Sequence, residues 1–425
     1  MAEQTGSWQG CLHYAAISDV GRRRANNQDA FKLVPSEVDD WTQRGHVFIV
    51  ADGMGAHAAG ELASKMAVDA ISHHYHKFGK VSPPEALNEA VLEANKEIYN
   101  RGQENVDFHN MGTTASILVV LPQGALVGHV GDSRIYRVRG SRLDQLTFDH
   151  SLVWELRKHG QISENAEQFT SIPKNVITRS LGPNQAVEVD IEGPDPIAVG
   201  DTYLLCSDGL TGRVSDEELG SILSSMPPLE AAHLLVDLAN LRGGPDNITV
   251  VVVQVTGEQV VTRVGDSTPL VIGGTKRESG VPLLAWVAGG VCFLSAIAMF
   301  ILGQSYLAIA SLAIGVASLL AGIGWKLSKQ TGGTSLAPGL RLGNGPHVSI
   351  DCPAADQFAD KLAKIVEELR EAAIENKWAV DWSVLDGHCQ QAVRAASARE
   401  HRDSIKSYGL AIHAMITDLQ RLGIQ

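Results

Sequence analysis

The chain has 425 residues, too many for one ordinary core, so two or more modules are expected. With 44% hydrophobic and 20% charged residues it is neither disordered nor collagenous, and its 42 glycines point to many tight turns. The formal charge of −13 is uneven: residues 1–258 carry 20 basic against 34 acidic side chains, a net of −14, and residues 259–425 carry 15 against 14, a net of +1. That balance excludes a nucleic-acid binder of the electrostatic kind, and it raises the question of what so many carboxylates hold. Cys11, Cys206, Cys292, Cys352 and Cys389 are odd in number and form no C-x-x-C pair, which argues for a reducing compartment and against a zinc ribbon. The opening Met-Ala-Glu-Gln-Thr-Gly-Ser lacks the basic and apolar regions of a cleavable signal, so the chain is expected to start in the cytosol.

Residues 8–256 alternate short apolar strands with amphipathic helices. Asp29 precedes a short apolar stretch. Val47–Ala51 reads as a buried strand ending in Asp52-Gly53-Met54-Gly55, so Asp52 projects from a strand end with a glycine that lets backbone approach. His73, His74 and His76 fall on different sides of a helix and read as a solvated surface rather than a metal tract. The Asp-at-a-strand-end grammar recurs at Leu126–Val130 with Asp132 and at Tyr203–Cys206 with Asp208. It is mirrored at Asp246, which precedes the apolar strand Ile248–Val253.

A linker is expected at 257–280. No charged side chain lies between Ser279 and Trp325. Runs at about 283–302 and 307–325, within a segment 281–326, are each long enough to cross roughly 30 Å of hydrocarbon. With Lys276 and Arg277 before and Lys326 and Lys329 after, the expectation is a transmembrane hairpin in the cytoplasmic (inner) membrane, two spans, both termini cytosolic. Residues 327–346, rich in Gly, Ser and Pro, read as a flexible linker. Residues 347–425 read as a cytosolic helical domain: Phe358, Leu362, Ile365, Leu369 and Ala373 form one apolar stripe, and Ile405, Ile412, Ile416 and Leu419 another. That tail reads either as a small three-helix bundle or as a docking module for a protein partner. His388, His401 and His413 read as surface residues.

A single Asp-Gly at a strand end is an ordinary turn. Several in one domain differ, because converging carboxylates repel unless a cation sits among them. Oxygen donors without cysteine or patterned histidine select a hard ion such as Mg²⁺ or Mn²⁺, and several carboxylates imply more than one ion, the arrangement of two-metal hydrolysis.

At this point the motifs align with a family. The series runs Ser18-Asp19-Val20-Gly21-x-x-Arg24-x-x-Asn27-Gln28-Asp29, Asp52-Gly53-Met54-Gly55-x-His57-x-x-Gly60-Glu61, Met111-Gly112-Thr113-Thr114, Gly128-His129-Val130-Gly131-Asp132-Ser133-Arg134, Leu146-Thr147-x-Asp149-His150-Ser151-Leu152, Ser207-Asp208-Gly209-Leu210 and Asp246-Asn247-Ile248-Thr249. In order and spacing it resembles the bacterial branch of the metal-dependent (PPM type) serine/threonine protein phosphatases. The resemblance implies an α+β fold: a four-layer α/β/β/α sandwich of two mostly antiparallel sheets flanked by helices, here followed by two transmembrane helices and an all-α tail. It implies a phosphoric monoester hydrolase acting on phosphoproteins made by serine/threonine kinases, with two Mn²⁺ or Mg²⁺ ions and a third, weaker one. Asp52 with the Gly53 carbonyl would bridge the pair, Asp208 and Asp246 would hold the other ion, and Asp132 the third. Arg24 would clamp the phosphate, and Asp29 and Gln28 would stand behind the ligands. Gln28 departs from the family's usual Glu, and Met54 stands where the eukaryotic branch has a general-acid histidine, leaving His57 as the candidate proton donor. The segment 146–182 matches the family's flap beside the cleft. Alternatives are a catalytically weak phosphoprotein-binding scaffold and a partner-switching phosphatase for one regulatory protein.

Overall fold

The computed structural model describes residues 1–37, 41–55, 58–160, 173, 176–263, 270–272, 283–329, 334–335, 341–352 and 355–423. The strands are β1 (Ala2–Trp8), β2 (Leu12–Asp19), β3 (Asp29–Val34), β4 (His46–Met54), β5 (Gly112–Thr113), β6 (Ala115–Leu121), β7 (Gly124–Val130), β8 (Arg134–Arg139), β9 (Arg142–Gln145), β10 (Asp190–Asp195), β11 (Thr202–Cys206), β12 (Ile248–Val255), β13 (Val271–Ile272), β14 (Thr334–Ser335) and β15 (Val348–Asp351). The helices are α1 (Trp41–Arg44), α2 (Ala59–Lys77), α3 (Pro83–Glu104), α4 (Leu152–Lys158), α5 (Asp208–Thr211), α6 (Asp216–Leu223), α7 (Pro228–Leu241), α8 (Leu283–Ile301), α9 (Ser305–Lys329), α10 (Ala355–Glu375), α11 (Trp382–Ser397) and α12 (His401–Arg421).

Two antiparallel sheets form the main unit, ordered β1-β2-β12-β11-β8-β9-β15 and β10-β7-β6-β4-β3. Period-2 alternation explains how the first sheet serves two cores at once. Tyr203, Leu205, Val251 and Val253 face the second sheet's Phe48, Val50, Leu118 and Val127. Their neighbours Leu204, Cys206, Val250 and Val252 face the other way, onto Leu219 and Ile222 of α6 and Leu235 and Leu238 of α7. The strands are therefore apolar on both faces, which is why they read as continuous runs rather than as alternation.

The tail is not a separate body. Residues 1–78, 86–268 and 338–425 make one compact unit. Leu362 of α10 and Ile412 and Ile416 of α12 are buried in the same core as α6 and α7. Nor is the tail all helix, because β15 pairs with β9 (Val348 opposite Gln145, Asp351 opposite Arg142) and extends the first sheet. The linker expected at 327–346 is hydrogen-bonded at its end, where Gly193 and Leu342 exchange backbone bonds. His413, expected at the surface, is bonded to the buried Asp237 of α7 at 2.8 Å. In α2, His73 and His76 are exposed, but His74 is buried and bonded to Glu97 at 2.7 Å.

The transmembrane expectation is overturned, and the inner-membrane placement with it: among the described residues no helix is long and apolar enough to cross a membrane. Freedom from charge is not the same as apolarity or length. α9 is diluted by Ser305, Ser311, Gly315, Ser318, Gly322 and Gly324 and ends on Lys326 and Lys329. Ser311 and Gly315 lie where the two helices pack closely on each other. Ser311 Oγ donates to the Cys292 carbonyl at 2.9 Å, and a Cβ at Gly315 would meet that of Cys292 at 3.0 Å.

Candidate active site

Strand ends and the loops between them bring the acidic residues to one end of the sheets. The register of β3 and β4 sets Asp29 directly opposite Asp52. Asp208 opens α5 immediately after β11, Asp246 lies just before β12, and Asp132 follows β7. Antiparallel pairing of β11 with β12 runs Cys206 opposite Val250, so the turns beyond them carry Asp208 and Asp246 to the same edge.

Each carboxylate is fixed from behind. Thr114 Oγ1 accepts from the Asp52 N–H at 2.9 Å and is bonded to Ser133 Oγ at 2.8 Å, linking Asp52 to the loop that bears Asp132. Ser207 Oγ donates to Asp29 Oδ2 at 2.7 Å. Asn247, quoted in the sequence only as part of a motif, is the staple of the site. Its Oδ1 accepts from the Gln28 N–H at 2.9 Å, and its Nδ2 donates to the Val20 and Asn26 carbonyls at 2.9 and 3.0 Å, tying the Arg24 loop to β12. Arg24 thereby reaches Asp246 Oδ2 at 2.8 Å with about half its side chain exposed.

The Gln28 carbonyl accepts from Gly53 N at 3.1 Å and from Ser64 Oγ at 2.5 Å, and its Nε2 donates to the Gly55 carbonyl at 3.4 Å. Gly53 is required by close approach: a Cβ there would run into the Gly60 and Gln28 carbonyls. His57 lies outside the described residues, as does most of the flap centre.

Sequence reasoning assigned no role to Arg134, Asp149 or His150, although all three stand in the quoted motifs. Arg134 forks onto Asp149 through Nε and Nη2 at 2.7–3.0 Å. His150 Nδ1 accepts from the Gly131 N–H at 2.9 Å and Nε2 meets Asp190 at 2.9 Å, so the Asp132 loop is anchored to the flap base. A cleft of about 500 Å³ opens at the cluster, lined by Asp132, Asp208 and Asp246 together with Trp154, Arg157 and Arg213.

The electrostatics follow from crowding. Burial, then repulsion from Asp29, Asp208, Asp132 and Asp246, pushes the Asp52 carboxyl well above its ordinary range. Burial raises Asp29 to about 7 against the hydrogen bonds of Thr249 and Ser207. Burial and the charges of Asp208 and Asp149 raise Asp132 to about 7, and burial and Asp246 raise Asp208. Asp29 Oδ1 and Asp132 Oδ1 are buried without a hydrogen-bond partner in the structure. Among the described residues no three acidic, histidine or cysteine side chains converge as a finished ligand set. Even so, unpartnered buried oxygens, mutually repelling carboxylates and an all-oxygen donor set fit hard divalent cations rather than a softer metal.

Such a two-sheet sandwich, with acidic loops meeting at one end of its strands, has the makings of a metal-dependent hydrolase. The family profile described as Protein phosphatase 2C matches residues 21–238. The protein phosphatase PhpP of Streptococcus pneumoniae is 38% identical over 254 residues, covering 58% of this chain and 99% of its own. The serine/threonine phosphatase stp of Listeria innocua is 37% identical over 248 residues, covering 57% and 96%. The crystal structure of the Mycobacterium tuberculosis serine/threonine phosphatase PstP/Ppp is similar with a TM-score of 0.51 at 36% identity, over 58% of this chain and all of that one. The chain belongs to the protein phosphatase 2C family. It is a protein serine/threonine phosphatase of the 2C type.

Proposed function

We propose that the chain hydrolyses phosphoserine and phosphothreonine in kinase-modified proteins at a two-metal centre held by Asp52, the Gly53 carbonyl, Asp208 and Asp246, with Asp132 toward a third ion. The observation that carries this reading is the meeting of these loops at one sheet end, where Asp52 stands in register with Asp29 and Arg24 lies 2.8 Å from Asp246. When bound, the ions supply a water acidified enough to attack near neutral pH, and they neutralise phosphoryl charge.

The chain's own residues do the rest. Arg24 is half exposed, so its planar fork can turn from Asp246 to grip two phosphate oxygens. Asp29 keeps one oxygen on Ser207 and leaves the other to accept from the attacking water. Gln28 holds Gly53 and the start of α2 through its carbonyl, so the amide that replaces the usual carboxylate leaves the frame intact. Asn247 keeps Arg24 and Asp246 in one frame.

The test is turnover of a phosphothreonine peptide by the full chain with Mn²⁺, with chelator and with Asp208→Asn. Activity that needs the metal and vanishes in the variant is the expected result; full-rate hydrolysis in excess chelator would overturn the reading.

A further inference from the structure

The family match ends at residue 238, yet the segment 341–352 packs on β9 and β10, behind residues that line the cleft. It crosses two strand edges that would otherwise lie open. At one, Leu342 exchanges backbone bonds with Gly193 of β10, the outer strand of its sheet. At the other, β15 pairs along β9, whose chain runs on through Leu146–Ser151 into α4. Between them the segment clasps Glu192: Gly345 N donates to Oε2 at 2.9 Å, and His347 Nε2 donates to Oε1 at 3.2 Å. Arg341 pairs with Asp195 at 3.0 Å. The His347 N–H donates to the Gln145 carbonyl at 2.9 Å, and Gln145 Nε2 donates in turn to Asp149 Oδ1 at 2.9 Å.

Held this way, the His347 side chain is 15% exposed, and its imidazole stands edge-on to Phe148 with ring centres 5.6 Å apart. Phe148 stands edge-on to Trp154 of α4 at 5.2 Å. Trp154 lines the cleft that holds Asp132, Asp208 and Asp246, and Arg134 lies over its ring at 5.7 Å. Three rings thus form a relay from the C-terminal segment to the cleft wall, and Phe148 is the wedge between the outer two.

We propose that His347 is a positioning residue for the substrate: through Phe148 it fixes Trp154 as the wall against which the polypeptide part of a phosphoprotein lies. This rests on the phosphatase reading above and adds which part of the substrate is sensed and by which residues. A small aryl phosphate engages Arg24 and the carboxylates but has no polypeptide to lay along Trp154. An extended phosphopeptide needs both.

The experiment compares the full chain with His347→Ala, His347→Phe, Trp154→Ala and the His347→Ala/Trp154→Ala pair, in Mn²⁺, on p-nitrophenyl phosphate and on a phosphothreonine peptide. Loss of an edge-to-face ring contact should raise the peptide KM of His347→Ala roughly five- to tenfold. The peptide kcat and both constants for the small ester should stay within about twofold. His347→Phe restores a ring at the same place and should return the peptide KM to within about twofold of the parent. Trp154→Ala should raise the peptide KM at least as far, and the double variant should be no worse than Trp154→Ala alone, because both act through one wall. An unchanged peptide KM, equal losses on both substrates, or additive losses in the double variant would overturn the assignment. Metal-dependent turnover of the small ester by the parent chain reports separately on the phosphatase reading.

Discussion

Replacing Ile412 of α12 with alanine asks whether the C-terminal helices and the phosphatase sheets share one cooperative core. Ile412 is fully buried, in the cluster that contains Leu234 and Leu235 of α7. The neighbouring Gly409 leaves so little room that a Cβ would meet Leu234 Cδ2 at 2.9 Å and Met226 Cε at 3.0 Å. The substitution removes three carbon groups, about 2.4 kcal/mol of lost burial at ~0.8 kcal/mol each. A residual cavity of ~50 Å³ adds about 1 kcal/mol, for a total of roughly 3–4 kcal/mol. At about 2 °C per kcal/mol for a unit of this size, the midpoint for thermal loss of phosphatase activity should fall by roughly 6–8 °C. Amide exchange along α7 should accelerate in step with that of α12. Val393→Ala, at a side chain 55% exposed on α11, is the control and should change stability by less than about 0.5 kcal/mol. An unchanged catalytic midpoint with exchange altered only in the tail would refute the shared core.

Asp208→Asn and Asp52→Asn should each cut turnover by roughly two orders of magnitude or more with circular dichroism unchanged, whereas Arg24→Ala should chiefly raise KM, about tenfold or more, with metal binding intact. Because burial and crowding raise Asp29 and Asp132 to about 7, protons compete with the metal. Calorimetric Mn²⁺ affinity should weaken as pH falls from about 8 to about 6 with proton release on binding, and a flat profile would count against the site. Burial alone would raise Asp190, which is only partly exposed, but its hydrogen bond with His150 and its ion pair with Arg179 hold it down to about 2. Its folded value lies below the unfolded one, so it contributes stability above about pH 4 that is lost as pH falls toward about 2. Asp190→Asn should lower the urea-derived stability by roughly 1–2 kcal/mol at pH 7 and by almost nothing near pH 2.

The chemistry was legible in the sequence because it is local. A carboxylate one or two residues beyond an apolar run reads as lying toward a strand end, and a glycine beside it admits backbone, so Asp52, Asp132 and Asp208 announce their positions without any knowledge of neighbours. Their ordered spacing was enough to identify the family and to expect two antiparallel sheets, as found. What the amino acids alone did not reveal was which surfaces meet. The stripe through Phe358 and Leu362 says that one helix face is buried, and only the tertiary structure shows that it is buried against α6 and α7. Val348–Asp351 is a strand because β9 offers an open edge, a partner some 200 residues away that no local pattern encodes. Asn247 reads as an ordinary turn residue until the fold places its amide between β12 and the Arg24 loop. The run between Ser279 and Trp325 misled for a related reason: lack of charge is a local property, whereas spanning a membrane depends on the length and apolarity of the helices that actually form. Local sequence thus set which carboxylates gather at the sheet end, and long-range packing decided what stands behind them and beside the cleft.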